Sequence, residues 1–204
     1  MVHLKRFFAL VLIMFAAPAF AERTVVTEED GVTVEAEGVE GRLLPILIGT
    51  TRMETSAEQV ASWIRATHTY ESWMHNCEEA RVVRSENGVV VGYNRIGSPW
   101  PVSDRDVVLT SKRMDLEGGR IRIEFQSIQD DSVPRPNGSV RMKNLTGSYE
   151  LTPVEGGTEV VYTLDSDPGG SLPGWLVREA SKDLPLQTLK KLRVRAESGP
   201  APPA

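Results

Sequence analysis

Three times along this chain, two runs of alternating or β-branched apolar residues meet across a short turn rich in glycine. Arg81–Ser85 and Val89–Ile96 flank Glu86-Asn87-Gly88. Asp104–Leu116 and Arg120–Ile128 flank Glu117-Gly118-Gly119, and Ser139–Val154 and Thr158–Ser166 flank Glu155-Gly156-Gly157. Asn-Gly between apolar runs is the strongest short hairpin signal. Ile121, Ile123 and Phe125 alternate with Arg120, Arg122 and Glu124, the period of a half-buried strand. Hairpins in succession commit the chain to an antiparallel meander, in which one face can be buried and the other wet.

Helices must cover the buried face, and the sequence places them on either side of the meander. Val32–Val39 alternates as a strand, and Leu43–Glu54 reads as a second one. Thr55-Ser56-Ala57-Glu58 then carries an N-cap residue and an acid in the first turn, which starts a helix with Val60, Trp63 and Ile64 on one face. Thr69–Asn76 reads as a second short helix. The last element is a helix from Leu172 to Arg193. Leu172, Leu176, Ala180 and Leu184 recur every four residues, and Trp175, Leu189 and Leu192 widen the stripe. A single apolar stripe covers something apolar. Pro185 lies inside this helix and is expected to kink it, because proline lacks the N–H an interior turn needs. Ser198–Ala204 is rich in proline and alanine and is expected to be a disordered tail. The fold class is α+β, with a sheet-and-helix interior where a small-molecule cavity forms readily.

The first 21 residues read differently. Lys5 and Arg6 precede an apolar run, Phe7–Phe15, and Ala19-Phe20-Ala21 is a small-x-small site. That pattern is a secretory signal peptide with cleavage after Ala21, and the run is shorter than the roughly 20 residues that span a bilayer. An exported, periplasmic or secreted protein is expected. The remaining 183 residues form one domain, 22–197, followed by the tail. They hold 21 basic and 28 acidic residues, a formal charge of −7, which offers nucleic acid no electrostatic footprint. Cys77 is the only cysteine, so no intrachain disulfide is available. It reads as a small buried hydrophobe rather than a nucleophile. His68 and His75 are seven apart with no acidic partner at ligand spacing, so neither a metal nor another cofactor is inferred.

Three stretches carry a family resemblance. Pro99-Trp100-Pro101-Val102-Ser103-Asp104-Arg105-Asp106-Val107-Val108 resembles the strand that opens with Arg-Asp in the START family, the lipid-transfer domains related to the steroidogenic acute regulatory protein. Gly147-x-Tyr149-x-Leu151-x-Pro153, then Gly157-Thr158-x-Val160-x-Tyr162, is similar to the family's penultimate hairpin. Asp167-Pro168-Gly169-Gly170-x-Leu172-Pro173-x-Trp175-Leu176-Val177, then Pro185-Leu186 and Thr188-Leu189, is similar to its C-terminal helix. The resemblance extends weakly back to about residue 30. It implies the helix-grip fold, a curved antiparallel β-sheet wrapped around a long C-terminal α-helix and enclosing a hydrophobic tunnel. It also implies a monomer that carries one hydrophobic, lipid-like ligand, with transient membrane contact and no catalysis.

The candidate lining residues of such a tunnel are Tyr93, Arg95, Asp106, Phe125, Tyr149, Tyr162, Trp175, Leu176 and Ala180. Tyr93, Phe125, Tyr149 and Tyr162 suit a core as well as a tunnel wall. Counting by twos places Arg95 with Val89, Val91 and Tyr93, an apolar set, and so favours it over Arg141 as a head-group contact. Asp104, Arg105 and Asp106 read either as a polar group at one end of the tunnel or as ion pairs that fix strand and loop; the structural reading is the stronger. Two other functions remain open at this point. One is an enzyme similar to the polyketide aromatase/cyclases of the same superfamily, for which Tyr93, Arg95 and Asp106 are the acid–base candidates. The other is an interaction module whose core is filled.

Overall fold

The computed structural model describes residues 23–42 and 44–203, so the signal peptide expected over 1–21 lies outside the described residues. The three predicted hairpins all form. They join β4 (Cys77–Glu86) to β5 (Val89–Ile96), β6 (Asp104–Asp115) to β7 (Ile121–Ser127), and β9 (Asn144–Val154) to β10 (Gly157–Asp167). An N-terminal strand that sequence patterning missed, β1 (Arg23–Glu29), pairs with β2 (Val32–Glu37), and β2 pairs with β3 (Ile46–Met53). The run expected as one strand over Ser139–Val154 is broken at Met142 and Lys143. Its first piece, β8 (Ser139–Arg141), runs parallel to β6, while β9 continues the antiparallel sheet. The strand order is β1-β2-β3-β10-β9-β7-β6-β5-β4, with β8 beside β6. The curved sheet thus closes its sequence order by setting β3 against β10.

Helix α1 (Ala57–Arg65) starts where its cap predicts. The Ser56 side chain accepts a hydrogen bond from the Gln59 amide at 3.2 Å, and Val60, Ala61, Trp63 and Ile64 are buried. A single 3-10 stretch, Thr67–Ser72, replaces the second helix expected over Thr69–Asn76. The long helix α2 (Gly174–Ser198) runs on through Pro185. Pro185 has no N–H for the Ser181 carbonyl one turn back. Its ring sits against the sheet instead, where a Cβ at Gly49 would come within 3.3 Å of the Pro185 Cβ and 2.7 Å of Leu189 Cδ1. Glycine at 49 therefore sets how closely α2 approaches β3.

The main core lies between α1, the second half of α2 and the strands under them. It includes Val34, Leu47, Leu151, Val160, Leu186, Leu189 and Leu192. The chain end joins it too. Trp63 Nε1 donates to the Gly199 carbonyl at 2.7 Å, the Ala201 amide donates to Ser62 Oγ at 3.0 Å, and Ala201 packs on the core. The tail expected to be disordered is thus helical at Ser198 and docked as far as Ala201. A second, smaller core forms on the opposite face of the sheet, where Val91, Tyr93 and Val108 meet Val133 from the segment between β7 and β8.

Candidate functional site

The apolar stripe of α2 divides its labour along its length. Its second half is packed against the sheet, but its first half stands off and leaves a cavity of about 230 Å³. Alternation along each strand selects the wall. β5 presents Val90, Gly92, Asn94 and Ile96; β6 presents Arg105, Val107, Leu109 and Ser111; β7 presents Ile123 and Phe125. Tyr149 of β9 and Tyr162 of β10 continue it, and Leu176, Ala180 and Leu184 cover it from the helix. The interior is therefore not filled by its own side chains.

Aromatic packing shapes the deep end. Tyr149 and Tyr162 are cross-strand partners with rings stacked at 4.5 Å and 9°. The Phe125 ring lies 6.0 Å from Tyr149 and 6.4 Å from Tyr162. Phe125 takes this position because its own cross-strand partner is Gly147, where a Cβ would stand 2.4 Å from the ring. The Gly-x-Tyr spacing of the sequence thus places a ring in the space one residue leaves and the Tyr149 ring beside it. Burial pushes the Tyr70, Tyr149 and Tyr162 hydroxyls above their ordinary range, Tyr70 to about 12, so all three are neutral.

Polar groups are few and incompletely satisfied. Asn94 Oδ1, Tyr149 OH and His75 Nδ1 are buried without a hydrogen-bond partner, and all three residues line the cavity. Such groups are expensive to leave unpaired. Arg105 is buried in the wall. It donates through Nη1 to the Ser103 carbonyl at 2.6 Å, through Nη2 to Gly169 at 3.1 Å and through Nε to Pro168 at 3.4 Å. Burial pushes this guanidinium down from its ordinary value, against weaker opposition from the nearby Asp104 charge. His75 is likewise pushed down, first by burial and then by Lys191.

Of the nine residues picked from the sequence, Phe125, Tyr149, Tyr162, Leu176 and Ala180 line the cavity. The other four stand elsewhere. Tyr93 belongs to the small core on the far face, with the Arg81 guanidinium 4.5 Å above its ring. Arg95, on the same face of β5, is held at the surface by Glu78 at 2.5 Å, Asp104 at 2.8 Å and Glu79 at 3.6 Å. Asp106 is fully buried on that face, accepting from Arg141 Nε at 2.7 Å and Ser139 Oγ at 3.0 Å. Arg141 in turn donates to the Val133 and Pro134 carbonyls, so this pair pins the segment that covers the second core. Trp175 is 46% exposed on the first turn of α2. The acid–base candidates Tyr93, Arg95 and Asp106 all lie outside the cavity.

Asn94 and His75 are among the wall residues that sequence patterning missed, and Arg105, weighed there with Asp104 and Asp106 as a polar group at one end of the tunnel, is the member of that cluster that lines the cavity. Cys77 is buried, and its thiol is pushed up to about 11 by that burial. A thiol so raised is a poor nucleophile. Among the described residues no cluster of His, Cys, Asp and Glu could hold a metal ion. No helix of the described residues is long and apolar enough to cross a membrane.

The comparisons with known proteins agree with this geometry. The START domain model matches residues 48–198. An uncharacterised protein of Pseudomonas aeruginosa is 32% identical over 171 residues, covering 83% of this chain and 84% of that one. The phosphatidylcholine transfer protein of Rattus norvegicus is 33% identical over 105 residues; the match spans 49% of each protein, about half the length of that relative. Among solved structures, the STAR-related lipid transfer protein of Xanthomonas axonopodis superimposes with a TM-score of 0.78 at 28% identity, over 85% of this chain and 98% of that one. The family model takes in β4 to β10, both helices and all of the cavity wall but Leu44: the chain belongs to the START domain family.

Proposed function

We propose that this protein binds and carries one hydrophobic, lipid-like molecule in the cavity under the first half of α2. The observation that carries this reading is the unfilled interior itself. A close-packed domain of this size has few voids larger than a water molecule, whereas this one keeps about 230 Å³ behind a largely aliphatic and aromatic wall. Apolar burial is worth about 25 cal/mol per Å², so such a wall supplies affinity, and its few unpaired polar atoms supply orientation.

Loading and release require contact with a donor or acceptor surface. Trp100 is 92% exposed on the segment beside Pro99, and Trp175 is 46% exposed beside Leu176; Pro99 and Leu176 both line the cavity. Tryptophan favours the membrane–water interface, where one side of the ring is apolar and the other wet. Together these two side chains give the cavity mouth a shallow membrane foot. Work in the periplasm, or outside the cell, is supported by the basic-apolar-Ala-x-Ala pattern of residues 1–21.

Native mass spectrometry of the protein purified from its own host, followed by organic extraction, tests the carrier reading. One apolar species at near one-to-one stoichiometry is expected. A protein that arrives empty and takes up no fatty acid, sterol or phospholipid would overturn it. Vesicle co-sedimentation of Trp100→Ala, expected to fall without loss of ligand, tests the foot. Fractionation of the host and N-terminal sequencing, expected to begin at Glu22, test export.

A further inference from the structure

The charges around the cavity are unequal in their surroundings. Glu179 and Asp183 also line it, but Glu179 is exposed and Asp183 half-exposed, so water solvates and salt screens them. Arg105 is only 6% exposed. Its three contacts are all neutral backbone carbonyls, and three of its five N–H groups are thereby used. Asp104, the neighbouring carboxylate, is engaged by Arg95 and by the Ser98 amide. Among the described residues no carboxylate lies within salt-bridge distance, 4.0 Å, of the Arg105 guanidinium. A buried cation with no carboxylate in direct contact is unfavourable, and an anion placed beside it in the same low-dielectric space is correspondingly favoured.

Asn94 marks the same part of the wall. In the ladder Asn94 pairs with Val107 and Ile96 pairs with Arg105, so Asn94 and Arg105 are diagonal neighbours on one face of adjacent strands. Asn94 is 4% exposed and its Oδ1 has no partner. Its amide offers either a donor or an acceptor by rotation. A buried guanidinium with donors to spare and an unpaired amide thus form a ready-made polar end, while the Phe125, Tyr149 and Tyr162 rings form an apolar one.

We propose that the ligand is an anionic amphiphile whose carboxylate or phosphate group is held by Arg105 and Asn94. This rests on the carrier reading above. The size of the cavity refines it: small-molecule pockets run from about 300 Å³ upward, and one of about 230 Å³ suits a single slim chain rather than two.

Displacement of Nile red by hexadecanol, hexadecanoate and hexadecyl phosphate, each below its micelle threshold at mildly alkaline pH, isolates the head group on a constant chain. The wild type is expected to bind one or both anions about tenfold or more tighter than the alcohol, the gain expected of charge-assisted hydrogen bonds. Whether hexadecanoate or hexadecyl phosphate leads identifies the anion. Arg105→Gln should level the three, and Arg105→Lys should keep part of the preference. Equal wild-type affinity for all three overturns the anionic site and leaves the carrier standing. Failure to take up Nile red or any of the three overturns both. Should Arg105→Gln not fold, the wild-type ratio alone still decides.

Discussion

Asp106 and Arg141 meet at 2.7 Å on the face of the sheet turned away from the cavity, with their side chains 0% and 5% exposed. The pair is structural: Ser139 completes the carboxylate, and the Val133 and Pro134 carbonyls complete the guanidinium. Removing one partner leaves the other charge buried and unpaired, which costs about 3–5 kcal/mol. Asp106→Ala should lower stability by about that much in urea titration. Asp106→Leu with Arg141→Met should recover most of it, since apolar replacement of a whole buried pair is often neutral. Ligand uptake at a temperature where the single variant is folded should be unchanged. A loss of uptake there would place Asp106 in the functional site after all.

Gly49 offers a test of how α2 is seated. An alanine Cβ would lie 2.7 Å from Leu189 Cδ1 in a packed core, and forced overpacking costs about 1–3 kcal/mol. For a domain of this length each kcal/mol moves Tm by about 2–4 °C. Gly49→Ala should therefore melt measurably lower. Gly38→Ala is the control, because a Cβ there meets nothing within 4 Å. Equal melting temperatures for the two variants would mean that α2 is not held against β3 as described.

The hairpins, the Ser56 cap and the apolar stripe of α2 were legible in the sequence because local rules govern them, although the helix runs from Gly174 to Ser198 rather than from Leu172 to Arg193. The cavity wall was only half legible, and β5 shows why. Both of its faces are covered, one by the cavity and one by the second core. The more apolar set, Val89, Val91 and Tyr93, is the one that supplies Val91 and Tyr93 to the tight packing around Val133. The cavity set, Val90, Gly92, Asn94 and Ile96, is smaller and more polar because it must leave room and orient a guest. Counting by twos finds both faces but favours the packed one, and that reversal carried Arg95 to the wrong side. Arg105, weighed as one cluster with Asp104 and Asp106, alternates with both and so is the one of the three that lines the cavity. The docking of Ala201 on α1 has no local signature at all. Its hydrogen bond reaches from the chain end to Ser62.

His75 should make the fold acid-sensitive. Its pKa is depressed from the ordinary 6.5, by burial first and by Lys191 second, against weaker opposition from Asp183 and Glu179. The unfolded chain then binds the proton more tightly than the folded one. Stability contributed by neutral His75 is full above about 6.5 and is lost as pH falls below it toward the lower folded value. Melting temperature measured from neutral to mildly acidic pH should fall less steeply in His75→Gln than in the wild type. Parallel curves would show that other groups set the acid limb.

Tyr149→Phe removes a hydroxyl that is buried without a partner. An unsatisfied buried polar group costs about 1–3 kcal/mol, and the ring, with its stack on Tyr162, is retained. The empty variant should be as stable as the wild type or more so, by about 1 kcal/mol. If the ligand-free variant instead melts lower, the hydroxyl is making a stabilising hydrogen bond, and Tyr162, stacked beside it, is the nearest candidate.

Ala180 separates occupancy from stability most directly. It faces the cavity from the half of α2 that stands off the sheet, and it is neither an ion-pair member nor part of the tight core. Ala180→Trp puts a large ring where the guest is proposed to lie. Overpacking destabilises where atoms already touch, but here the ring has about 230 Å³ to enter. The variant should keep its melting temperature in the empty state, lose uptake of Nile red and of extracted lipid, and show no ligand-induced rise in Tm, which binding to the native state alone otherwise produces. A folded Ala180→Trp that still loads normally would mean that the guest sits elsewhere, and a variant that fails to fold would mean that the space under α2 is not open in solution.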